Sequence, residues 1–166
     1  MKRLAFLTIC LFLTSTAILA QSLGVYISDN KGPVTNVRKS PGGTVLYTLP
    51  TSDTYIATVA NPTKGWWQVK QVSDAENDKD VKGFVAGGWI HHSLLVLDTR
   101  NYGGERWCLR KSPSAKAKAT YTFSKEISLH PIDIKGNWVK VKTADGKHEG
   151  WIESYKLCDS PLTNCC

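Results

Sequence analysis

From Gln21 onward, apolar and polar residues alternate with a period of two. Val25 and Ile27 alternate with Tyr26 and Ser28, and Val45, Tyr47 and Leu49 share a phase, as do Trp67, Val69 and Gln71. Further on, Ile127, Leu129 and Pro131 fall in phase, and Trp138 and Lys140 oppose Val139 and Val141. That period belongs to extended chain, whose successive side chains point to opposite faces. Turn-forming clusters separate the runs: Asp29-Asn30-Lys31-Gly32-Pro33, Pro41-Gly42-Gly43, Asn61-Pro62, Lys135-Gly136-Asn137 and Asp145-Gly146. Short antiparallel strands joined by turns are predicted. No segment combines helical spacing of apolar residues with helix caps. The expected class is all-β.

The pattern occurs twice. Asn36-Val37-Arg38-Lys39-Ser40-Pro41 returns as Cys108-Leu109-Arg110-Lys111-Ser112-Pro113, an offset of 72 that also carries Trp66 onto Trp138, Val69 onto Val141 and Lys70 onto Lys142. Gly88-Trp89-Ile90 returns as Gly150-Trp151-Ile152 at an offset of 62, so the first copy holds about ten extra residues that include the polar stretch 73–80. A second alignment sets Gly83-Phe84-Val85 against Gly150-Trp151-Ile152. About five strands per copy suffice for a small barrel, near the lower size limit for a self-supporting core. The aromatic residues are expected to supply much of that core. No Gly/Ser linker separates the copies, since Leu94-Leu95-Val96-Leu97 is itself strand-like.

These motifs resemble bacterial SH3-like domains. In the first copy the resemblance rests on 27–32, 35–41, Gly65-Trp66-Trp67-Gln68-Val69-Lys70 and Gly88-Trp89-Ile90-His91 with Leu94-Leu95. In the second it rests on 109–113, 137–141, Gly150-Trp151-Ile152 and Tyr155. Cys108 stands where the family commonly has Asn. The resemblance implies two small SH3-like β-barrels in tandem, closely joined: 21–96 and 97–160, followed by a Cys-containing tail, 161–166. By analogy it also implies a targeting module that recognises peptidoglycan or envelope peptides. The alternative is a protein–protein interaction or scaffolding subunit of the envelope.

Residues 1–20 read as a signal peptide. Lys2 and Arg3 precede an apolar run from Leu4 to Leu13, and small residues end at Ala20. The expected location is therefore periplasmic or secreted, with no membrane span in the mature chain and no nucleic-acid partner. Export permits disulfides, and the candidates are Cys108, Cys158, Cys165 and Cys166. Cys108 pairing into the C-terminal tail is the favoured arrangement, because joining the adjacent Cys165 and Cys166 would strain the peptide between them.

Charge is uneven. Residues 21–98 carry seven basic and seven acidic side chains, whereas twelve basic and seven acidic residues follow from Thr99 onward. The second copy is thus suited to acidic partners.

Catalytic and metal chemistry find little support. The four histidines, His91, His92, His130 and His148, are scattered, and Cys108 stands alone. On a strand, His91 and His92 would face opposite ways. Asp74, Glu76, Asp78 and Asp80 imitate a calcium loop, but Lys79 replaces its glycine and Val85 its bidentate acid. No catalytic residue, metal or cofactor is expected. The remaining candidates are aromatic ligand-binding residues: Trp66, Trp67, Trp89, Tyr121, Trp138, Trp151 and Tyr155. Trp66 and Trp67 are adjacent, so one of them should lie outside the core.

Overall fold

The computed structural model describes residues 21–77 and 79–162. The signal peptide expected at 1–20, and with it Cys165 and Cys166, lies outside the described residues.

The protein is all-β. The first strands are β1 (Ser22–Ile27), β2 (Val34–Arg38), β3 (Val45–Pro50), β4 (Tyr55–Thr63), β5 (Trp66–Asp74), β6 (Lys79–Asp80) and β7 (Trp89–His91). A 3-10 turn, His92–Leu94, leads into β8 (Leu95–Thr99). Next come β9 (Trp107–Arg110), β10 (Ala119–Phe123), β11 (Ser128–Lys135), β12 (Trp138–Thr143) and β13 (Glu149–Glu153). A second 3-10 turn, Ser154–Lys156, precedes β14 (Leu157–Cys158). Every strand pairing among the described residues is antiparallel.

The pairing order repeats. One run reads β3-β2-β7-β5-β4-β1-β8, and the other reads β10-β9-β13-β12-β11-β8-β14. β8 belongs to both. Leu95 and Val96 pair with Ile27 and Tyr26 on β1, Leu97 and Asp98 with Leu129 and Ser128 on β11, and Asp98 and Thr99 with β14. A point between Val96 and Leu97 therefore falls inside a shared strand. Repeated sequence builds repeated local structure. The Arg38 guanidinium donates to the Gly43 carbonyl at 2.8 Å, and Arg110 donates to the Ala117 carbonyl at 2.9 Å.

Buried apolar positions follow the strand period. On β1, Leu23, Val25 and Ile27 point inward, and on β12 Val139 and Val141 do. One buried cluster extends through both runs. It includes Val25, Val59, Trp67 and Ile90 from the first, and Leu109, Leu129, Val139 and Ile152 from the second. The phase on β5 is not unbroken. Thr58 pairs with Gln71 while Val59 pairs with Val69, so Lys70 is bulged, and both Lys70 and Gln71 are exposed. Gln71 therefore leaves the face that Trp67 and Val69 share.

The structure also settles the position of the insertion. β7 begins at Trp89, and Trp89 pairs with Arg38 just as Trp151 of β13 pairs with Arg110. The preceding glycines are forced by close approach. A Cβ on Gly88 would meet Val37 Cγ1 at 2.5 Å, and one on Gly150 would meet Leu109 Cβ at 2.8 Å. Gly83-Phe84-Val85 lies outside any strand. The extra residues start as a short hairpin in which β6 pairs with the end of β5. Asp74 closes its turn by accepting from the Glu76 and Asn77 N–H groups and from Asn77 Nδ2. These bonds hold its carboxyl below the ordinary range.

Candidate functional site

Trp66 and Trp138 occupy equivalent places. Each opens the middle strand of its run after a tight turn that uses positive φ: Lys64 and Gly65 in the first run, Gly136 in the second. In both runs the 3-10 turn is tied back to that tight turn. His92 N–H donates to the Gly65 carbonyl, and Ser154 N–H donates to the Asn137 carbonyl, each at 2.8 Å. The two resulting sites carry different chemistry.

In the first run, Trp66 pairs with His91, and their rings meet at 5.2 Å, close to perpendicular. His91 and His92 lie 4.5 Å apart, and His92 faces His130 of β11 at 6.4 Å. Strand alternation would set these neighbouring histidines on opposite faces, but their rings meet. His92 opens the 3-10 turn, so strand alternation ends at His91, and both rings are half-buried. His91 Nδ1 lies 2.9 Å from Ser93 Oγ, and His130 Nδ1 lies 2.8 Å from the Leu95 carbonyl oxygen. His92 Nδ1 is buried without a hydrogen-bond partner among the described residues. Burial, reinforced by the neighbouring histidines and Lys142, pushes His92 down to about 4. Burial, with Lys31 and His130, also lowers His91. Imidazoles held neutral in this way suit a packed contact. No group of His, Cys, Asp or Glu among the described residues is arranged to hold a metal.

In the second run, Glu153 pairs with Trp138 where the first run has His91. Lys156 Nζ lies 3.0 Å from Glu153 Oε2, 5.4 Å from the centre of the Trp107 ring and 5.6 Å from that of Tyr155. Tyr155 is 66% exposed, the most exposed of the large hydrophobic side chains among the described residues. Its carbonyl accepts from Arg100 Nη1 at 3.2 Å, and Arg100 N–H donates to the Lys156 carbonyl at 3.0 Å. A lysine held between two aromatic rings makes cation–π contacts and keeps those rings in place. The result is a half-open surface of Trp107, Tyr155, Lys156, Glu153 and Trp138. Such surfaces accept flat apolar faces beside polar groups.

The remaining candidates lie elsewhere. Trp67 is fully buried, and its Nε1–H donates to the Pro131 carbonyl at 2.9 Å, linking the two runs. It is core and no ligand platform, because its phase on β5 is the inward one. Trp89 and Trp151 are half-buried beside Arg38 and Arg110. Tyr121 stacks on His148 at 3.9 Å. Cys108 is a free thiol on β9, opposite Thr122, which corrects its expected pairing with the tail. Cys158 sits on β14, at the other end of the pairing order from β9. Sequence reasoning missed Trp107 and Lys156. The 72-residue offset places Trp107 opposite the buried Thr35, and that departure from the repeat was the available signal.

Residues 109–157 match the bacterial SH3 domain family, a stretch that runs from β9 to the start of β14. Among solved structures, the chain is similar to NlpC1 from Trichomonas vaginalis at 11% identity and a TM-score of 0.34, covering 90% of this chain and 50% of that one. It is also similar to NlpC2 from the same organism at 12% identity and a TM-score of 0.32, covering 82% and 48%. The chain thus spans about half the length of these two proteins. No curated protein sequence matches it.

Proposed function

We propose that the chain, with its bacterial SH3 domain at 109–157, is an exported, non-catalytic binding protein that recognises peptidoglycan or envelope peptides. Two SH3-like units that share β8 would form its working part, and the second unit would carry the ligand. The observation that carries this reading is the surface around Tyr155. A large aromatic side chain stands 66% exposed there, beside a lysine shared with a second ring. Exposed aromatic rings with a nearby cation suit sugar faces and the peptides attached to them. The net positive charge of the second half favours anionic wall polymers. The equivalent surface of the first run is occupied by its own histidines packed toward β11. Within this reading no residue acts as a nucleophile or general base, and the leader at 1–20 directs export.

The test is co-sedimentation with insoluble peptidoglycan across a salt series. Saturable pelleting that survives moderate salt and weakens in a folded Tyr155→Ala or Trp138→Ala variant is expected. Pelleting erased by modest salt would leave only nonspecific charge. Co-purification of a protein partner without wall binding would favour a scaffolding subunit instead.

A further inference from the structure

The shared strand β8 exchanges partners along its length. It pairs with β1 at Leu95 and Val96, and with β14 at Asp98 and Thr99. An open cavity of about 300 Å³ lies where one partner gives way to the other. Its apolar wall comes from three strands: Leu23 of β1, Leu97 of β8 and Leu157 of β14, all members of the buried cluster. Its polar lining is Arg100, Ser154 and Asp159, each the first residue after a strand.

The backbone sets both charges in place. Arg100 N–H donates to the Lys156 carbonyl at 3.0 Å, and its Nη1 donates to the Tyr155 carbonyl at 3.2 Å. The guanidinium is thereby anchored through one nitrogen and keeps donors to spare. It enters no ion pair among the described residues. The Asp159 carboxylate lies against Gly24, which also lines the cavity. A Cβ on Gly24 would meet Asp159 Oδ2 at 2.0 Å, so the carboxylate occupies the space that any other side chain would fill. The repeat has none of these features elsewhere. The 72-residue offset sets Gly24 against Val96 and Arg100 against Ser28, and the 62-residue offset sets Asp159 against Leu97.

We propose that this cavity binds a free α-amino acid with an aliphatic side chain. Arg100 donates to the ligand carboxylate through guanidinium N–H groups not used on Tyr155. Asp159 accepts from the ligand ammonium, and the side chain lies on the leucine wall. A guanidinium and a carboxylate on one small cavity select a ligand that carries both charges, because a lone anion is repelled by Asp159 and a lone cation by Arg100. The volume is at the small end for ligand pockets and suits a single amino acid. Trp107, Trp138 and Tyr155 do not line this cavity, so the inference does not depend on wall recognition.

The experiment is a nuclear magnetic resonance titration of the isotope-labelled protein with L-leucine. Saturating shifts of the Gly24, Ser154 and Asp159 amides are expected, with a dissociation constant of about 1 mM or less. N-acetyl-L-leucine lacks the ammonium, L-leucinamide lacks the carboxylate and glycine lacks the aliphatic side chain. Each should bind about tenfold or more weakly than L-leucine. In the protein, Arg100→Gln removes the cation and should weaken binding by a similar factor. Gly24→Ala, whose methyl group displaces the Asp159 carboxylate, is the second variant should Arg100→Gln fail to fold. No saturating shift up to about 10 mM, equal affinity for L-leucine and its charge-blocked analogues, or equal affinity for the wild type and a folded variant overturns the proposal.

Discussion

Replacing Trp67 with phenylalanine should destabilise the protein by about 2–4 kcal/mol, although it exchanges one buried aromatic ring for another. Trp67 is fully buried on β5, and its indole N–H donates at 2.9 Å to the carbonyl of Pro131, a buried residue of the other run. Phenylalanine cannot donate, and a dry carbonyl that loses its donor costs about 1–3 kcal/mol. The smaller ring also leaves a void. At about 24 cal/mol per Å³, a residual cavity of roughly 40 Å³ adds about 1 kcal/mol. Urea unfolding followed by far-ultraviolet circular dichroism measures the sum as a fall in midpoint at unchanged slope. Trp66→Phe is the internal control. It changes the neighbouring, half-buried ring, which meets His91 near-perpendicularly, and should cost about 1 kcal/mol or less. A Trp67→Phe loss no larger than the Trp66→Phe loss would refute the assignment of Trp67 to the joint between the runs.

Three further outcomes are expected. His92 is held down at about 4 in the folded chain, against an ordinary value near 6.5, so the unfolded chain binds the extra proton first. Its contribution is present in full above about pH 6.5 and is lost as pH falls toward 4. Because the ring is only part-buried, the loss is about 1–2 kcal/mol, and it should be absent in His92→Asn when thermal midpoints are compared across that window. Gly150→Ala should destabilise by about 2–3 kcal/mol in the same urea assay, since its Cβ would lie 2.9 Å from the Arg110 carbonyl oxygen and 2.8 Å from Leu109 Cβ. Alkylation of the unfolded, unreduced protein, read by peptide mass mapping, should modify Cys108 in full. A Cys108-containing disulfide would contradict the structure.

The all-β class was legible because the period of two survives in nearly every strand. The equivalence of Arg38 with Arg110, and of Gly88 with Gly150, was legible because both members of each pair make the same contacts. Other features depend on the third dimension. The doublet Trp66-Trp67 satisfies strand alternation in either phase, and only the buried Val139 at the equivalent place identifies Trp67 as the inward ring. The bulge at Lys70 resets the phase within β5 with no glycine or proline to signal it. His92 leaves the strand for a 3-10 turn, so alternation could not predict its contact with His130. In the candidate site, Tyr155 and Trp138 were visible in the repeated motifs. Trp107 and Lys156 were not, because the ring–cation–ring arrangement joins β9 to the second 3-10 turn across a long stretch of chain.

Wall recognition by the second half through the surface around Tyr155 is tested most directly by a nuclear magnetic resonance titration of isotope-labelled protein with soluble peptidoglycan fragments. Saturating shifts concentrated on the Trp107 and Trp138 indole N–H groups and on the backbone amides of residues 153–156, and abolished in Tyr155→Ala, are predicted. An unshifted spectrum at saturating fragment, or shifts confined to the first run, would contradict it.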